Sequence, residues 1–108
     1  MKHQRIYISG KISGEQESSY FVKFKNAQIY LETLGFEEVV NPLDIHGTNP
    51  VKSWEEFMVT DIEALFSCTA VYFLKDWQDS KGARIEFAIA REMGLDLFFE
   101  KSLPQNNQ

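Results

Sequence analysis

A chain of 108 residues, 44% apolar and 14% aromatic, is long enough to bury one core without disulfides and too hydrophobic to be disordered throughout. Its net charge of −5 argues against non-specific binding to a nucleic acid polymer, which needs a basic footprint. A single cysteine, Cys68, excludes an intrachain disulfide and fits a reducing cytoplasm.

With no second cysteine and only His3 and His46, a Cys/His metal site has little support, and the residues call for no metal or other cofactor. No apolar run approaches the roughly 20 residues of a membrane span. The opening Met-Lys-His-Gln-Arg leads straight into an apolar strand without the hydrophobic stretch of a signal peptide. The expectation is one cytoplasmic domain over 1–101, with a disordered tail at 102–108.

The run Arg5-Ile6-Tyr7-Ile8-Ser9 ends at Gly10 and predicts a strand. A loop with two glycines, Gly10 and Gly14, precedes a helix over about 18–34. Phe21, Phe24, Gln28 and Leu31 define its inner face, flanked by Tyr20, Ala27 and Leu34, and Gly35 stops it. A second strand over 36–40 closes at Asn41-Pro42, and a loop containing Gly47-Thr48-Asn49-Pro50 follows. A helix begins near Trp54. The nearly all-apolar 69–74 predicts a central strand buried on both faces. After a loop at 75–79, Ser80 can cap a helix that Gly94 ends, and 95–99 makes a last strand. The βαβαβαβ order predicts a flavodoxin-like α/β fold: a parallel sheet of strand order about 2-1-3-4, with helices on both faces. Ligands of such sheets bind beyond the carboxyl ends of the strands where the order reverses, here after the first and third strands.

Two acidic residues occupy positions where core residues belong. With each residue turned by roughly 100°, Trp54, Phe57, Met58, Ile62 and Leu65 form an apolar arc with Asp61 in its middle. In the following helix Ala83, Phe87, Ile89, Ala90 and Met93 form an arc that contains Glu86, while Arg84, Arg91 and Glu92 fall outside it. An unpaired carboxylate on a buried face costs several kcal/mol or has its pKa raised. One such acid could be paired structurally with a core cation, although Arg84 and Arg91 point the other way. Two, on neighbouring helices, suggest a cleft built for chemistry. A pair of carboxylates across an anomeric carbon serves glycosyl transfer and hydrolysis, one attacking or stabilising the oxocarbenium-like centre and the other moving protons.

Other positions allow two readings. Ser9, Gly10 and Lys11 open a loop that is either a ligand-contacting turn or a plain βα connection; its spacing matches neither a Walker loop nor a dinucleotide fingerprint. The Tyr7 hydroxyl could bond a catalytic carboxylate or a substrate oxygen, but the residues alone favour a core tyrosine. In Asp76-Trp77-Gln78-Asp79-Ser80, Trp77 could stack on a base or lie over a solvated loop, and Ser80 can cap the helix and touch substrate at once. His46 reads as a loop residue rather than a base, and Cys68 as a small core residue.

Tyr7-Ile8-Ser9-Gly10, Asn41-Pro42, Asp61 in a helix, and Ser80-x-Gly82-Ala83-x-x-Glu86-x-x-x-Ala90 together resemble the nucleoside 2-deoxyribosyltransferase-like superfamily, above all its small bacterial and phage members. The 2'-deoxynucleoside 5'-monophosphate N-glycosidase is a relative in that superfamily. The resemblance covers about 5–99. It implies a flavodoxin-like fold, Glu86 as nucleophile on the sugar C1', and Asp61 assisting by protonating the base or positioning the sugar. It further implies Tyr7 orienting the nucleophile and Ser80 contacting the 5' end; their place at the strand-end crevice adds Ser9, Gly10, Lys11, Asp76, Trp77 and Gly82 as expected neighbours of the substrate. The expected partners are a small-molecule nucleoside or nucleotide and further copies of the chain in a homo-oligomer, for which Trp54, Phe57 and Phe66 offer a dimer face. The first loop departs from the monophosphate hydrolases, carrying Lys11, Glu15 and Glu17 where they tend to carry Arg. The function expected is therefore an N-glycosidase or deoxyribosyltransferase of nucleosides or nucleotides. The alternatives are a non-catalytic nucleotide-binding or sensing module and an interaction protein with two structural acids.

Overall fold

The computed structural model describes residues 4–46 and 53–101. The expected tail at 102–108, most of the loop around 47–50, and His3 lie outside the described residues.

Strand β1 (Arg5–Ser9) leads to helix α1 (Glu17–Thr33), then β2 (Glu38–Val40), a short α2 (Pro42–His46) and α3 (Trp54–Phe66). Strand β3 (Ala70–Phe73) follows, then a 3₁₀ turn (Trp77–Asp79), α4 (Lys81–Met93) and β4 (Asp96–Phe99). The four strands are parallel in the order β2-β1-β3-β4, as the sequence predicts. Ile6 pairs with Ala70, and Ser9 with Phe73, so β1 and β3 run side by side through the centre. All four residues of β3 are buried, matching its unbroken apolar run.

From β1 the chain goes to β2 on one side and, after that, to β3 and β4 on the other. Crossovers of one hand then put α1 on one face and α3 and α4 on the opposite face. Alternation along the strands supplies each face with its own side chains. Ile6, Ile8, Ala70, Tyr72 and Leu74 pack with Phe24, Ala27, Leu31 and Phe36 on the α1 side. Tyr7, Val71 and Phe73 pack with Leu65, Cys68 and Ala90 on the other.

The helix ends carry local signals. Ser53 and Glu56 form a reciprocal capping box at the start of α3, with the Ser53 Oγ accepting from the Glu56 N–H at 3.1 Å and the Ser53 N–H donating to Glu56 Oε1 at 2.8 Å. Ser80 Oγ accepts from the Ala83 N–H at 3.1 Å and caps α4, while Gly94 closes that helix at φ +74°.

Two readings are corrected. Residues 42–46 form a helix rather than a loop: Asn41 Oδ1 accepts from the Leu43 N–H at 3.0 Å, and Pro42 supplies a helical φ at the first position. The inner face of α1 is also narrower than predicted. Phe24, Ala27 and Leu31 are buried, whereas Phe21 and Leu34 are 43% and 53% exposed. A helix laid over two central strands needs only the single i, i+3, i+7 row. Among the described residues no helix is long and apolar enough to cross a membrane.

Candidate active site

Alternation along β1 builds the centre of the site. Tyr7 and Ser9 are two residues apart, so both side chains leave the sheet on the α3/α4 face. There they meet Glu86, one turn and a half into α4. Ser9 Oγ donates to Glu86 Oε1 at 2.6 Å, and the Tyr7 hydroxyl donates to Oε2 at 2.9 Å. Each carboxylate oxygen thus receives one hydroxyl, fixing the plane of the group. All three side chains are buried.

The two hydroxyls are neutral, and they do not offset what burial costs the charge. Burial pushes the Glu86 carboxyl up to about 7; the bonds from Ser9 and Tyr7 pull it down, and Asp61, when ionised, adds to the rise. The same surroundings hold the Tyr7 phenol well above its ordinary value, through burial first and the Glu86 charge second. Tyr7 is therefore a fixed hydrogen-bond donor at any physiological pH.

Asp61 is buried beside Met58 and Leu65 on the inner side of α3. Its Oδ1 lies 2.7 Å from His46 Nε2, at the end of α2. The imidazole in turn stands edge-on to Phe57, with ring centroids 4.5 Å apart. Among the described residues no Arg or Lys pairs with Glu86 in the way a core salt bridge requires: Arg84 donates to the Gln78 carbonyl at 2.7 Å, and Arg91 lies on the exposed side of α4.

Both acids open on one cleft of about 540 Å³, within the usual range for small-molecule sites. Its polar lining includes Tyr7, Ser9, Ser80, Glu86, Asp61 and His46; its walls are Tyr20 and Phe21 of α1 and Trp54, Phe57 and Met58 of α3. Gly10 and Gly82 also line it, and each has a packing reason to be glycine. A Cβ on Gly10 would come within 2.6 Å of Leu74 Cδ1, and one on Gly82 within 3.0 Å of the Met58 sulfur.

The expected site residues divide accordingly. Tyr7, Ser9, Gly10, Asp61, Ser80, Gly82 and Glu86 come together in the cleft. Lys11 lies in an adjoining hollow with Glu55, Asp79 and Lys81, which shares Ser13, Trp54, Ser80 and Gly82 with the main cleft. Asp76 is not in the cleft: it accepts the Lys11 N–H at 3.2 Å and the Lys23 ammonium, while Lys23 also reaches Glu15 at 2.7 Å. It straps the first loop to α1.

Trp77 is not in the cleft either. The 3₁₀ turn folds its ring back onto Phe87 at 4.7 Å and Phe73 at 5.2 Å, inside the aromatic cluster beside β4. Of the aromatics considered for a dimer face, Trp54 and Phe57 belong to the cleft wall, and Phe66 is exposed. His46, read from the sequence as a loop residue, is a cleft residue bonded to Asp61. Among the described residues no group of three His, Cys, Asp or Glu side chains could hold a metal ion.

The family model described as Domain of unknown function (DUF4406) matches residues 4–99. The chain belongs to that family. The matched stretch contains every residue of the cleft. A comparison with curated proteins finds no match.

Proposed function

We propose that this DUF4406 member is an N-glycosidase or deoxyribosyltransferase that acts on nucleosides or nucleotides, with Glu86 as the nucleophile. The observation that carries this reading is the Glu86 carboxylate, buried, held by two hydroxyls at 2.6 and 2.9 Å, and sharing a cleft with a second buried carboxylate. A carboxylate kept for structure is normally neutralised by a cation; this one is oriented instead. The resemblance of Tyr7, Ser9-Gly10, Asp61 and the Ser80-x-Gly82-x-x-x-Glu86 element to the deoxyribosyltransferase-like superfamily supports the same chemistry.

In the proposed reaction a Glu86 oxygen bonds to the anomeric carbon as the bond from that carbon to the base nitrogen breaks. Tyr7 and Ser9 hold the carboxylate plane throughout. Asp61 gives a proton to the departing base. Water, or a second base, then bonds to that carbon as its ester bond to Glu86 breaks, and the proton the acceptor loses returns to Asp61, so that both carboxyls are regenerated. Attack requires the ionised carboxylate. With a pKa of about 7, ionisation is half complete near neutrality, so cleavage falls as pH drops below that value.

The test is a panel of deoxynucleosides and their 5'-monophosphates, with and without acceptor bases, followed by chromatography of released base. The monophosphate arm matters because Lys11 and Lys81, in the adjoining hollow, are accompanied by Glu55 and Asp79. Base release that Glu86→Gln lowers on the order of 10⁴-fold supports the reading. Tight binding without release, unaffected by Glu86→Gln, supports a nucleotide-sensing module instead.

A further inference from the structure

We infer that His46 is a positioning residue for Asp61, and that it stabilises the carboxylate formed when Asp61 surrenders its proton to the departing base. This rests on the glycosidase reading above and adds a residue from a different element to it. The sequence gives His46 no such role. It sits at the end of α2, 15 positions before Asp61, and only the docking of α2 on α3 brings the two together.

Three observations support the assignment. Nε2 of His46 is 2.7 Å from Oδ1 of Asp61, a short bond between two groups that both line the cleft. The side chains are nearly sealed from solvent, at 10% and 13% exposure, so the bond is not weakened by competing water. The ring is held edge-on by Phe57, which fixes the direction in which Nε2 points. A surface ion pair would show none of this enclosure.

The chemistry follows from the proton inventory. As the glycosidic bond breaks, the base nitrogen gains a proton and the Asp61 O–H bond is lost. Glu86 becomes a neutral ester in the same step, so the negative charge of the cleft now rests on Asp61. With its Nε2 protonated, His46 donates to Oδ1 and stabilises that charge. It does not touch the sugar or the base in this scheme; it acts through Asp61. Its contribution therefore depends on how much the leaving group needs a proton.

That dependence gives a test a purely structural histidine would not pass. His46→Phe keeps a ring against Phe57 and removes the donor. His46→Gln keeps a donor that reaches the Nε2 position. Each is assayed on an ordinary deoxynucleoside and on a p-nitrophenyl 2-deoxyriboside, whose phenolate departs without a proton, with folding checked by circular dichroism. The expected result is a fall in kcat of about 10- to 100-fold for His46→Phe on the deoxynucleoside, in line with loss of a group supporting a proton donor. On the activated donor the fall is less than about threefold, and His46→Gln recovers part of the deoxynucleoside rate. Equal losses on both donors, or a His46→Phe rate equal to wild type, would overturn the inference while leaving the glycosidase reading intact. If wild type cleaves neither donor, the glycosidase reading itself fails and this one falls with it.

Discussion

Residues 6 and 8 of β1 face α1 and join an apolar cluster with Phe24, Ala27 and Leu31; residues 7 and 9 of the same strand face α3 and α4 and donate to a buried carboxylate. The two faces use the same strands and differ by one position of alternation. On the α1 face the side chains fill space. On the opposite face Tyr7, Ser9, Asp61 and Glu86 are buried polar groups, and each lowers stability unless a partner compensates it. The cleft face is thus stabilised from behind: the apolar face anchors β1, and β1 presents Tyr7 and Ser9 in register with Glu86.

The contrast can be broken from either side. The largest expected effect on folding is at Leu31, which is fully buried on the α1 face. Leu31→Ala should cost about 2–5 kcal/mol in urea unfolding and leave KM unchanged for the fraction that stays folded. A change in KM comparable to the change in stability would mean that the two faces are not separable.

The next effect is the pH dependence that Glu86 imposes. Its folded value of about 7 lies above the ordinary 4.5, so between those values the folded chain keeps a proton that the unfolded chain releases. Stability is therefore highest below pH 4.5 as far as this group is concerned, falls as pH rises towards 7, and is level above it. The integrated loss is on the order of 3 kcal/mol. Urea titrations across pH 5–8 on wild type and Glu86→Gln check this, because the variant should lack the slope. An identical slope in both proteins would assign it to other groups.

A smaller effect separates the two hydroxyls from the carboxylate they hold. Tyr7→Phe and Ser9→Ala should each lower turnover about 10- to 100-fold and cost about 1–3 kcal/mol above pH 7, where Glu86 is ionised and loses a donor. Below pH 5 the stability cost should shrink. The smallest effect is at Trp77. Trp77→Phe should leave KM unchanged and cost no more than about 1.5 kcal/mol, since the ring packs on Phe73 and Phe87 away from the cleft. A large rise in KM would bring Trp77 back as a substrate contact.

The order of strands and helices could be read from short β-branched runs separated by Gly, Pro and capping residues, because those signals are local. So could the burial of Asp61 and Glu86, which the helical period displays directly. The hydroxyl partners of Glu86 were half readable: Tyr7 and Ser9 share a face by alternation, but nothing local says that α4 crosses that face. Helix α2 escaped because five residues show no period, and Asn41-Pro42 reads equally well as a stop or a start. His46 was unreadable for the same reason, since its partner is reached only through the packing of α2 on α3. Trp77 misled because a tryptophan in a loop after a central strand resembles a lid, whereas the 3₁₀ turn reverses its ring into an aromatic cluster that three separate elements supply.

The central claim is that the oriented Glu86 carboxylate becomes covalently bonded to the sugar. It is tested most directly by incubating the protein with a 2-fluorinated deoxynucleoside analogue, which slows breakdown of the ester, and measuring the intact mass. The account predicts an increment of one fluorinated sugar, mapped by peptide sequencing to Glu86 and absent from Glu86→Gln. Base release from ordinary deoxynucleosides with no increment on Glu86, undiminished in Glu86→Gln, would contradict it.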